Sequence, residues 1–209
     1  MTTNTLRAGT PLLALLGALT CALAAKADAP SFNAAGELER PADFREWIYL
    51  TTGLDMFYGP AAEARTGGDR PSVFTNVYVT PPAYREFMKS GTWPDKTMFI
   101  LEARRAESAA SIDNVGKSQG ALVAIESAVK DVARFGGNAG SNGWGYFSFD
   151  TANGLASSAK AFPTSAACYT CHAANTAVDN TFVQFYPTLF EVAKRLGTVK
   201  PTFDPAHKP

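Results

Sequence analysis

Apolar and polar positions alternate along four stretches of the chain and recur at helical spacing in three others. Ser72 to Thr80 (SVFTNVYVT) is β-branched and aromatic and lies between prolines, which predicts a strand. Thr97 to Ala103 (TMFILEA), Gly120 to Asp131 and Trp144 to Phe149 predict three more. A glycine-rich turn from Phe135 to Gly145 separates the last two. Phe44, Trp47, Ile48 and Leu50 follow Pro41-Ala42-Asp43 at helical spacing, which predicts a short helix ended by Gly53. Pro81 to Ser90 (PPAYREFMKS) predicts an amphipathic helix closed by Gly91, and Asn180 to Leu196 another that stops at Gly197. Tyr58 to Pro71 reads as a loop. Ala27 to Arg40 and the tail from Thr198, which holds three prolines, read as loosely ordered. No internal repeat is visible. The order of elements predicts an α+β fold, mainly an antiparallel sheet with a few helices.

The N-terminus has a different pattern. After Arg7 the run from Pro11 to Ala25 (PLLALLGALTCALAA) is apolar, and it ends near small-residue sites at Ala22-Leu23-Ala24 or Ala25-Lys26-Ala27. This is the layout of a secretory signal peptide. The run falls short of the about 20 apolar residues that span a bilayer. Residues 1–27 are therefore expected to be a cleaved leader and 28–209 a single exported, periplasmic domain without a membrane span. Cys21 would suit acylation, but Thr20 before it is not the small residue such sites use.

Charge and cysteine count narrow the function classes. With 19 basic and 19 acidic residues the formal net charge is +0, which gives no reason to expect a nucleic-acid partner or an anionic membrane surface. Without the leader, three cysteines become two, and both fall in Cys168-Tyr169-Thr170-Cys171-His172 near the C-terminus.

That pentapeptide is CxxCH, the pattern for covalent attachment of haem c. Two thiols three positions apart can form thioethers to the two vinyl groups on one porphyrin edge, and the adjacent His172 can then reach the iron. A thioredoxin-like CxxC would sit early in the fold, between a strand and a helix. A zinc site would need a ligand beyond the two cysteines and His172, and the mature chain adds only His207, in a proline-flanked tail that does not suit a ligand. One haem c per chain is the expected cofactor. Met56, Met88, Met98 and His207 are the candidates for the sixth iron position. None of the methionines has the Gly and Pro flanks of a loop presenting sulfur to iron, which favours an open distal site.

Several segments resemble the cytochrome P-460 family, which includes the cytochromes c′-beta. They are Phe44-Arg45-Glu46-Trp47, Asn76-Val77-Tyr78-Val79, Gly91-Thr92-Trp93-Pro94-Asp95-Lys96-Thr97, Val129-Lys130-Asp131 with Arg134-Phe135, and Trp144-Gly145-Tyr146-Phe147. The resemblance continues through the CxxCH and into Phe182-Val183-Gln184-Phe185-Tyr186-Pro187. It implies a mainly antiparallel β fold, a homodimer, and a five-coordinate haem. Named members oxidise hydroxylamine with a lysine cross-linked to the porphyrin, placed before a glutamate on the strand after the GT-aromatic-x-D motif. Here that position falls on Leu101, before Glu102, and leucine cannot form the cross-link.

The c′-beta members instead bind nitric oxide or carbon monoxide in an apolar pocket. On an alternating strand Thr97, Phe99 and Leu101 share one face, so Phe99 and Leu101 become candidate distal residues. Glu126 interrupts the apolar run from Ala121 to Val129. In the family an acidic side chain near the distal site can accept a proton, which makes Glu126 the candidate catalytic base; a solvated strand position or an ion pair are its other readings. The resemblance implies a small diatomic or nitrogenous ligand and a redox partner protein.

Overall fold

The computed structural model describes Met1 and residues 29–56, 71–108 and 111–206. The expected leader beyond Met1, most of the loop between Tyr58 and Pro71, and His207 lie outside the described residues.

The centre of the molecule is a five-stranded antiparallel meander in the order β2-β3-β4-β5-β6. Its strands are β2 (Ile48–Leu54), β3 (Val73–Val79), β4 (Met98–Ser108), β5 (Lys117–Lys130) and β6 (Trp144–Ser148). Each strand pairs with its neighbour in sequence, so short connections suffice. Smaller pairs are β1 (Leu38–Glu39) with β9 (Ser158–Ala159), and β7 (Asp150–Thr151) with β8 (Gly154–Leu155). The helices are α1 (Pro81–Ser90), α2 (Val132–Phe135), α3 (Ala167–Asn175) and α4 (Pro187–Leu196). The fold is the expected mixed α+β architecture. Among the described residues no helix is long and apolar enough to cross a membrane.

Local chemistry accounts for α1. Pro81 and Pro82 occupy the first turn, where a backbone donor would go unused. Ala83 and Phe87, four apart, are its buried residues. Gly91 ends it at φ +73, with its N–H on the Phe87 carbonyl at 2.7 Å. A side chain at Gly91 would also meet Thr198, whose hydroxyl donates to the Gly91 carbonyl at 2.7 Å.

The sheet buries both faces, in two separate cores. On one face Val79, Phe99, Trp144 and Tyr146 pack with Phe87 of α1, Tyr169 of α3, and Leu189 and Val192 of α4. On the other, Met98, Ile100, Ile125, Val129 and Phe147 pack with Leu38, Phe44, Trp47 and Phe135 of α2. Strand alternation alone produces this division.

Four expectations need correcting. Phe44–Glu46 is only a 3-10 turn, and Ile48–Leu54 is an edge strand running through Gly53. Apolar positions 44, 47, 48 and 50 suit a helix equally well, and pairing with β3 decided for the strand. The N-terminal segment is anchored by the β1–β9 pair and by Leu38, which is fully buried. The tail is tied down too: Lys200 N–H bonds the Ala177 carbonyl at 2.8 Å, and the Phe203 ring meets Phe190 edge-on. The last helix is also shorter than expected, because Val183–Phe185 forms a 3-10 turn and Pro187 restarts the chain as α4.

Candidate haem-binding site

The CxxCH pentapeptide lies on α3, where a helical repeat of 3.6 puts Cys168, Cys171 and His172 on one side. A nine-residue helix leaves its last four carbonyls without an intrahelical partner, and side chains reach carbonyls at and near this end. Thr176 Oγ1 donates to the His172 carbonyl at 2.5 Å, Asn175 Nδ2 to that of Cys171 at 3.1 Å, and Lys200 Nζ to that of Ala173 at 3.2 Å. Tyr169 is buried in the helix-side core, its ring edge-on to that of Tyr146 at 4.9 Å.

Both cysteines are free thiols and half-buried. Together with His172 they border a cavity of about 380 Å³ between α3 and the sheet, within the range of small-molecule and cofactor sites. Its sheet wall follows from strand register. Val77, Leu101 and Glu126 are direct cross-strand partners, and so are Val79, Phe99, Ala128 and Tyr146 in the next row. Residues directly opposite in an antiparallel sheet project to the same side. Val77, Phe99, Leu101, Glu126, Ala128 and Tyr146 all reach the cavity, with Phe182 and Tyr186 closing it from the segment before α4.

Thr97, the third residue of the expected face, is buried outside the cavity and donates its hydroxyl to the Pro94 carbonyl at 2.8 Å. None of the methionines lines the cavity. Met98 lies on the opposite face of the sheet, and Met88 packs at the edge of the helix-side core.

His172 is held in one orientation. Its Nδ1 is 2.8 Å from the carbonyl of Asn180; because the acceptor is a carbonyl, Nδ1 carries the proton and Nε2 keeps its lone pair. The Tyr146 and Phe182 rings flank the imidazole at 4.4 and 4.6 Å between centroids. Burial pushes its pKa down, so the ring is neutral and ready to ligate. The Tyr146 hydroxyl, pushed well up by burial, stays protonated and points at the same Asn180 carbonyl from 3.5 Å.

Glu126 borders the cavity and is exposed to solvent. Desolvation raises its pKa, and the nearby Asp150 carboxylate adds to the rise. A carboxyl shifted this way can exchange a proton with a molecule in the cavity. Glu102, the next residue along β4 from Leu101, is on the other face and only 2% exposed. Arg45 bonds it at 2.9 and 2.5 Å and Arg104 at 3.1 Å. Burial alone would raise its pKa, but the two guanidinium groups hold it below the usual carboxylate range.

The donor set suits a covalently held haem: two unpaired thiols one helical turn apart, an imidazole with its outer nitrogen fixed, and an apolar wall opposite. Among the described residues no group of three or more His, Cys, Asp or Glu side chains gathers as a metal site of its own. The sequence pointed to Cys168, Cys171, His172, Phe99, Leu101 and Glu126, and all six border one cavity. Sequence reasoning missed Asn180 as the histidine's acceptor. The Asp179-Asn180 pair is a turn signal that could have located it.

A search of curated proteins finds no match to the chain. The family model for cytochrome P460 matches residues 41–183. That span is more than half of the 209 residues and takes in the whole five-stranded sheet and the CxxCH segment. The chain therefore belongs to the cytochrome P460 family.

Proposed function

We propose that this chain is a periplasmic mono-haem c-type cytochrome that binds nitric oxide or a similar small uncharged ligand, in the manner of the c′-beta members of its family. Cys168 and Cys171 would hold the haem through thioethers and His172 Nε2 would be the axial ligand. When bound, the haem supplies an iron with one coordination position available to a ligand or a redox reaction. The leader-like N-terminus supports export to the periplasm.

The observation that carries this reading is the sheet wall that borders the same cavity as His172. Beside Glu126 and Tyr146 it offers Val77, Phe99, Leu101 and Ala128, with no methionine sulfur and no lysine. Apart from Glu126 this wall offers few hydrogen bonds, so it favours uncharged diatomics over a bound dioxygen that needs donors. Leu101 stands where the cross-linking lysine of hydroxylamine-oxidising members would be. Glu126 supports a second reading, an oxidoreductase acting on hydroxylamine or peroxide, because its carboxyl could take up a substrate proton.

Spectroscopy of the purified holoprotein tests both. A high-spin ferric spectrum, rapid nitric oxide binding and no hydroxylamine turnover are expected. A low-spin spectrum with a sulfur-to-iron band would sink both readings in favour of an electron carrier. A strongly red-shifted ferrous Soret band would reveal a cross-link and favour the second.

A further inference from the structure

The carbonyl that fixes His172 belongs to a turn with an unusual backbone. Val178 and Thr181 form an antiparallel bridge, closed by the Thr181 N–H on the Val178 carbonyl at 2.8 Å. Both central residues have positive φ, +45° at Asp179 and +56° at Asn180. Positive φ at both positions marks a type I′ turn, which glycine enters most easily and Asp or Asn next. Neither residue is a glycine, and side-chain contacts add to the geometry that Asp and Asn tolerate by themselves.

Those contacts come from separate parts of the chain. Lys130, the last residue of β5, donates to Asp179 Oδ2 at 2.5 Å and to the Trp93 carbonyl at 2.8 Å. Trp144 Nε1, at the start of β6, points at Asp179 Oδ1 from 3.5 Å. Asn180 Oδ1 faces Asn142 Nδ2 at 3.3 Å and Lys200 Nζ at 3.4 Å. Neither Lys130 nor Asp179 borders the cavity. Both are largely buried, with side chains 17% and 23% exposed, so the pair is better shielded from solvent than an ordinary surface ion pair.

We propose that the Lys130–Asp179 ion pair is a positioning clamp for the axial histidine: it holds the type I′ turn so that the Asn180 carbonyl stays in line with His172 Nδ1. The proposal rests on His172 being the iron ligand. A hydrogen bond from Nδ1–H to a carbonyl makes Nε2 a stronger donor, which favours the ferric state. Loosening the turn weakens that bond and favours the ferrous state.

The test compares Asp179→Asn and Lys130→Gln in the haem-loaded protein, reading the ferrous iron–histidine stretch by resonance Raman and the reduction potential by titration. The clamp predicts that both variants lower the stretching frequency and both raise the potential. The reduced-to-oxidised ratio at a fixed poise should shift about tenfold, or ~59 mV for one electron. A pair acting only through its charges would move the two potentials in opposite directions and leave the stretch unchanged, which overturns the proposal. No change in either variant also overturns it. Where Asp179→Asn does not fold, Asp179→Gly removes the anchor while easing the backbone at that position, and an unchanged stretch there counts equally against the clamp. Failure of the underlying reading looks different: wild-type protein without covalent haem, or without an iron–histidine stretch.

Discussion

On β4, Phe99 and Leu101 look into the cavity, while Met98, Ile100 and Glu102 look into the core beneath the N-terminal segment. The two faces share a backbone and differ in what they can give up. On the closed face Ile100 is fully buried within the apolar cluster formed with the N-terminal segment. The other, open face packs Phe99 into the helix-side core but leaves about 380 Å³ of space beside the half-buried Leu101, so Leu101 can shape a site and contributes less to close packing. Polar groups follow the same division. Glu102 on the closed face is matched by two arginines, whereas Glu126 on the open face has Asp150 for a charged neighbour and a raised pKa. A charge that serves stability is neutralised; one available for chemistry is left under tension.

Mutations on adjacent residues can break this contrast. Ile100→Ala leaves a cavity in a filled core and should cost about 2–5 kcal/mol in denaturant unfolding. A cost near zero would mean the closed face is not closely packed. Glu102→Gln removes the charge that Arg45 and Arg104 satisfy, and should cost roughly 1.5–3 kcal/mol at neutral pH. Because the folded-state pKa of Glu102 is lowered, this stabilisation is complete above the unfolded carboxylate pKa and is lost as pH falls through the folded value. Wild type and variant should therefore converge in acid, and parallel stability curves would contradict the assignment.

Smaller effects belong to the open face. Leu101→Ala should cost only about 1 kcal/mol, yet change the dissociation rate of nitric oxide or carbon monoxide, as stopped-flow measurements would record. A stability loss as large as that of Ile100→Ala would erase the distinction between the faces. Glu126→Gln should be the mildest, stabilising by less than about 1 kcal/mol at neutral pH because the cavity mouth admits solvent. Its raised folded-state pKa means the native protein binds more protons than the unfolded chain, so wild-type stability falls as pH rises through that range. The advantage of glutamine should disappear in acid, and a stabilisation that persists there would have another origin.

Strands β3 to β6 and helix α1 were legible because each has its own local signature: β-branched alternation, or proline entry and glycine exit. The stretch from Phe44 to Leu54 was not, since its apolar spacing fits two periods and only β3 chose between them. The tail was misread because its prolines suggested looseness, while its anchors are residues such as Ala177 and Gly91, far away in sequence. The candidate chemistry was more legible than the fold, as CxxCH carries its meaning in five adjacent residues.

By itself, then, the amino-acid order determined which side chains bear chemistry, and that Phe99 and Leu101 share a face, because both depend on spacing along one local segment. Tertiary structure decided that this face and His172 border one cavity, that Glu126 joins it through register with Leu101, and that the Asn180 carbonyl fixes the imidazole. Those relations depend on pairing and packing between elements, which no single segment encodes.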